Sequence, residues 1–137
     1  MMEKSSTGVI QVTDAEKFRD TFQDLFHAGN LDGLVSLFEL EGAFVSPPGQ
    51  VTVGPDAIRK VLADLLAIGG RLEFKDRSFH QVGDIALRVH EYQVKGSDPD
   101  GNPLTLRGVA AAVLRRQDDG CWRFVIDNAS AFEEAPA

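Results

Sequence analysis

Residues 104–130, LTLRGVAAAVLRRQDDGCWRFVIDNAS, decide the fold. They hold an apolar run, a polar turn at Gln117-Asp118-Asp119-Gly120, and a second run that opens on the only Trp of the chain, Trp122. Leu104 to Arg116 lacks proline and is rich in Val, Leu and Ala, and Cys121 to Ala129 resumes the apolar pattern. Two such runs joined by a short Gly-containing loop predict an antiparallel hairpin. The thirteen residues of the first run span roughly 43 Å at the strand rise, so that strand must bend. Gly108 is where a bend or a bulge is expected. The three alanines also suit a helix from Val109 to Arg116, but Gly108 and the β-rich continuation weigh against it.

Upstream of the hairpin the period is strand-like back to Leu72. Leu72 to Val82 predicts a long strand broken in phase, with a bulge, around Asp76-Arg77. Gly83-Asp84 turns it into Ile85 to Lys95, and the loop from Gly96 to Pro103 is dense in turn formers. Before Leu72 the period is helical. A helix is expected to open at Thr13, with Glu16 completing a capping box and Phe18, Phe22, Leu25 and Phe26 on one face. Gly29-Asn30 stops it, and a shorter helix is expected from Leu31 to Phe38. Ala43 to Ser46 and Gln50 to Val53 read as short strands around Pro47-Pro48-Gly49. Gly54-Pro55 then starts a helix with Asp56 in its first turn and Ile58, Val61, Leu62, Leu65 and Leu66 as its stripe.

The order predicts an α+β fold in which a curved antiparallel sheet, four long strands and two short ones, wraps three helices from the N-terminal half. Such a sheet buries one face on the helices and leaves a cone with an open mouth, a concavity suited to small ligands. The expected organisation is a flexible arm over residues 1–12, one domain over 13–132 and a polar tail over 133–137.

The chain has 137 residues, 43% of them apolar and 26% charged, which is ordinary for one globular domain. A net charge of −7 argues against nucleic acid or an anionic membrane surface as a partner. Cys121 is the only cysteine, so no intrachain disulfide forms. With no apolar leader at Met1 to Ser6 and no run of membrane length, a cytoplasmic location is expected.

The runs AGNLDGLVSLF, FVSPPG, VTVGPDAIRKVLADLL and DGCWRFVIDNAS resemble the nuclear-transport-factor-2-like superfamily, and within it the small bacterial SnoaL-like proteins. The similarity covers about residues 14–130. The superfamily holds ketosteroid isomerases, polyketide cyclases, dehydratases and pure binding modules. The resemblance implies a cone-shaped α+β barrel and a homodimer formed through the sheet. Enzymes of this kind often keep an acid just before the first short strand. Gly42 stands there in this chain, flanked by Glu39 and Glu41. Asp127 falls where the polyketide cyclases place a catalytic aspartate.

Asp127 sits between Ile126 and Asn128 in an apolar strand. Inside the cone its pKa would rise into the range useful for proton transfer; at a strand end it would face solvent. His90 and Tyr92 share a strand face with Ala86 and Arg88, so His90 is a candidate acid–base group and Tyr92 a candidate to orient a carbonyl, or both are ordinary sheet-face groups. Glu91 and Leu87 take the opposite face. Arg107, aligned with Val109, Ala111 and Val113, is a candidate anchor for a ligand carboxylate. Trp122 and Asn128 complete the candidate substrate-binding set. His27, His80 and His90 show no metal-binding spacing, and no metal or organic cofactor is expected. Two functions are open: a small-molecule binder or acid–base enzyme acting on an apolar carbonyl compound, and a non-catalytic dimeric module. A cone plugged by Phe18, Phe22, Phe44 or Trp122 would favour the second.

Overall fold

The computed structural model describes residues 10–132. Asp14 caps a 3-10 turn, Ala15–Lys17, by accepting a hydrogen bond from the Glu16 backbone N–H at 3.0 Å. The turn runs into α1, Phe18–His27. The cap thus falls one residue after Thr13, on a carboxylate well suited to an N-cap. Asn30 caps α2, Leu31–Ser36, through its Oδ1 on the Gly33 N–H at 2.8 Å. α2 ends two residues before the expected Phe38, because Phe38 begins β1, Phe38–Val45, and pairs with Phe124 in the sheet with its ring 4.6 Å from the Phe124 ring. β2, Val51–Val53, and α3, Pro55–Ile68, follow. The long strands are β3, Arg71–Val82, β4, Ile85–Ser97, β5, Pro103–Arg116, and β6, Trp122–Phe132.

The six strands form one curved sheet in the order β2-β1-β6-β5-β4-β3. The α+β cone expected from the sequence is the fold observed, with one correction: the sheet is mixed, because β1 runs parallel to β6. Parallel neighbours need a long crossover, and here everything from β2 to β5 lies between them in the chain. The expected β3 bulge is present as a register shift against β4 between Asp76 and Ser78. Across Gly108, β5 keeps unbroken register with β4, while its register with β6 shifts next to it, between Val109 and Ala111.

The helices pack into the concave face. Phe18, Leu34, Leu37, Ile58 and Leu62 meet Leu114, Phe124 and Val94 in the core, each at most 5% exposed. Ile10 and Val12, assigned to the arm, belong to that core, and the Val12 carbonyl accepts from the Trp122 N–H at 2.8 Å. Residues 1–9 of the expected arm and the expected tail, 133–137, lie outside the described residues. Among the described residues no helix is long and apolar enough to cross a membrane.

Candidate functional site

The helices cover the concave face incompletely and leave a cavity of about 120 Å³. Phe18, Phe22 and Phe44 line it without filling it, and Ala110 and Ala112 of β5 form a low floor. The partly exposed Ser46, Leu65 and Leu106 mark its rim.

Asp127 enters this cavity because β6 is irregular. Leu114 pairs with Phe124 and Val113 with Ile126, so Val125 is an extra residue in β6. In a regular strand, Phe124 and Asp127 would face opposite sides; with the extra residue both line the cavity. Asp127 is 8% exposed. Burial pushes its pKa from 3.8 up to about 7.

His90 reaches the same cavity from β4, its ring edge-on to Phe74 at 4.7 Å. Burial first, then the Arg88 and Arg19 charges, lower its pKa from 6.5 to about 4 against the opposing pull of Asp76. His90 is therefore neutral near pH 7, and its buried Nδ1 has no hydrogen-bond partner among the described residues. Tyr92, two residues on, lays its ring across β5 at Gly108 and donates its hydroxyl to the Ala129 carbonyl at 2.8 Å. A Cβ at position 108 would lie 2.7 Å from the Tyr92 Oη, so the missing side chain admits this crossing.

Asp127, His90 and Tyr92 are thus brought together. Arg107, Trp122 and Asn128 are not. In β5 the even positions 106, 110, 112 and 114 line the cavity, so Arg107 projects from the outer face and is exposed. The apolar stripe it shares with Val109, Ala111 and Val113 is the outer stripe. Trp122 is 2% exposed but packs away from the cavity, under the Arg116 guanidinium at 5.5 Å from its ring. Asn128 stays off the lining and accepts from the Ser130 N–H at 3.1 Å. Glu39 is held by Arg115 at 2.8 Å and by Gln117 at 2.7 Å, which keeps its carboxyl below the usual range and out of the cavity. Gly42 occupies an irregular stretch of β1 where a Cβ would meet the Glu39 carbonyl oxygen at 2.9 Å and that of Phe124 at 3.0 Å.

Two arginines escaped sequence reasoning as site residues. Arg88 and Arg19 both line the cavity, stacked on Phe79 at 4.7 Å and on Phe74 at 5.5 Å respectively. The period of β4 places Arg88 beside His90, so its position was legible. Arg19 lies at the margin of the α1 apolar face, and nothing in its spacing singles it out. Among the described residues no group of three His, Cys, Asp or Glu side chains is placed to hold a metal ion.

The family model described as "SnoaL-like domain" matches residues 18–124. No curated protein matches the sequence. Solved structures resemble the fold at low identity. A "ketosteroid isomerase-like protein" from Erwinia carotovora atroseptica SCRI1043 superposes with a TM-score of 0.75 at 15% identity, over 87% of this chain and 94% of that one. A "putative dehydratase from the NTF2-like family" from Streptomyces avermitilis gives 0.68 at 21%, over 87% and 94%. A "putative calcium/calmodulin dependent protein kinase II association domain" from Xanthomonas campestris gives 0.72 at 16%, over 98% and 100%.

Proposed function

The chain belongs to the SnoaL-like domain family, and from that premise we propose that it binds an apolar carbonyl compound in the cone and moves a proton on it with Asp127. One observation carries this reading: a buried carboxyl group, lining an apolar cavity, whose pKa of about 7 lets it give and take a proton at neutral pH. As carboxylate, Asp127 removes a proton from carbon beside the carbonyl. The negative charge moves to the carbonyl oxygen, and Asp127 returns its proton to another carbon (isomerisation) or to a departing hydroxyl (dehydration). His90, neutral at that pH, offers a ring N–H to the developing oxyanion. Tyr92 has committed its hydroxyl proton to Ala129, so it acts as wall and positioning group. No metal or organic cofactor enters these steps.

A thermal-shift panel of cyclic ketones and aromatic acids, followed by NMR of the hits in D2O, tests the reading. Hits should stabilise the protein, and protein-dependent deuteration beside the carbonyl should fall at least about a hundredfold in Asp127→Asn. Deuteration unchanged in that variant removes Asp127 from the chemistry.

The second reading, a non-catalytic dimeric module, is favoured by the outer face of the sheet. Leu87, Val113 and Ile126 are register partners there, with Leu87 41% and Ile126 40% exposed. An apolar row of this kind suits a second copy of the chain, and the Xanthomonas neighbour is itself named an association domain. In this second reading the cone binds nothing from the panel.

A further inference from the structure

The floor of the cavity is interrupted at one place, and the side chain that interrupts it comes from the neighbouring strand. Leu106, Ala110 and Ala112 of β5 line the cavity, whereas Gly108, on the same face, does not. The Tyr92 ring lies over it: a Cβ on Gly108 would meet the Tyr92 Oη at 2.7 Å and Cζ at 2.9 Å. The hydroxyl reaches on to β6 and donates to the Ala129 carbonyl at 2.8 Å. Tyr92 thus spans three strands, from its root on β4 over β5 to β6. The carbonyl it meets lies in a gap of the sheet. Val109 pairs with Phe132 and Ala111 with Asn128, so residues 129–131 have no register partner on β5. A buried carbonyl needs a donor, and the phenol supplies one, which fixes the ring in its crossing position.

Register puts this crossing between the acid–base groups and the mouth. Ala112 pairs with Asp127 of β6, and Ala110 pairs with His90 of β4. Both alanines lie on one side of Gly108 along β5, and the rim residue Leu106, 37% exposed, lies on the other. From Leu106 to Ala112 the strand runs about 20 Å, but the open floor behind Tyr92, Ala110 to Ala112, runs only about 7 Å. Volume agrees with that shortening. The cavity, about 120 Å³, is close to the apolar cavity of about 150 Å³ that takes up benzene, so it holds one six-membered ring. The Tyr92 phenol is itself such a ring, and it stands where a second, fused ring of a ligand would lie.

We infer that Tyr92 is the specificity-determining residue of the cavity, a bar across its floor that admits a ketone of one six-membered ring to Asp127 and His90 and shuts out fused-ring ketones. The ring of the ligand lies over Ala110 and Ala112 and abuts the phenol on the side of the mouth. Bridging the gap in β6 is a structural task that Tyr92 performs as well, and that task alone would leave the size of the preferred ligand unchanged when Tyr92 is replaced. The inference rests on the small-molecule reading of the cavity above and narrows its ligand by size.

Titration with cyclohexanone and with the fused bicyclic decalone, followed by NMR, tests it. Burial of apolar surface alone favours the larger ketone. The wild type should instead bind cyclohexanone about tenfold or more tighter than decalone. Tyr92→Ala should reverse that order by raising decalone affinity about tenfold or more. Should this variant fail to fold, Tyr92→Leu, whose side chain is too short to reach β6, makes the same test. Tyr92 is the only tyrosine of the chain, so its ring protons are identified directly, and they should show nuclear Overhauser contacts to cyclohexanone bound in the wild type. Three results each overturn the bar and leave the cavity reading standing: decalone bound by the wild type as tightly as cyclohexanone, a preference unchanged in the folded variant, or bound cyclohexanone without contact to the Tyr92 ring. Binding of neither ketone to the wild type overturns both.

Discussion

Asp127 and His90 titrate in opposite senses, and this makes their environment measurable without a ligand. The folded-state pKa of Asp127 is raised from 3.8 to about 7, so between those values the folded chain holds the extra proton and stability falls as pH rises. His90 has its pKa lowered from 6.5 to about 4, so there the unfolded chain holds the extra proton and stability rises with pH. From about pH 4 to 6.5 the two contributions cancel. Removing one exposes the other: relative to wild type, Asp127→Asn should gain about 1.4 kcal/mol per pH unit across that window, and His90→Gln should lose as much. Urea denaturation at half-unit steps of pH reads both slopes; parallel curves for wild type and Asp127→Asn would place the carboxyl in water. Gly108 allows a second test at this scale. Gly108→Ala should cost about 1–3 kcal/mol by overpacking against the Tyr92 ring, and most of that cost should vanish in the Tyr92→Leu background.

At the scale of elements, two irregular strands shape the site. The extra residue Val125 turns Asp127 inward. In β1 the register slips between Phe38 and Ala43, and Gly42 comes against backbone carbonyls of Glu39 and Phe124. This close approach leaves no room for a side chain at position 42. Gly42→Asp should therefore install no general base. It should lower stability by about 1–3 kcal/mol, since the neighbouring atoms are backbone and cannot swing away. A variant as stable as wild type in thermal unfolding would refute that account of β1.

At the scale of the whole molecule, the concave face of the sheet is spent on the core and cavity, and the convex face keeps exposed Ile85, Leu87 and Ile126. Sedimentation equilibrium should find a dimer, and Leu87→Asp or Ile126→Asp should shift it to monomer, because a charge would be buried unpaired at the interface. Thermal shifts by cavity ligands should persist in these variants. A monomeric wild type would return the outer face to solvent.

Much was legible in the sequence because its signals are local. Proline at the start of α3, the helical spacing of Phe18, Phe22, Leu25 and Phe26, and the turn residues between β5 and β6 are each read within a few neighbours. Period 2 likewise put Arg88, His90 and Tyr92 on one face of β4. Tertiary structure alone decided which face that was, because burial depends on what packs there, and the helices cover the face of even-numbered β5 residues that excludes Arg107. It also decided the phase of β6: one inserted residue shifts every later side chain, and an insertion is defined only against the partner strand. The parallel pairing of β1 with β6 and the meeting of Arg19 with Arg88 bring together residues distant along the chain. Such meetings follow from how the curved sheet closes on its helices, and no local pattern records them.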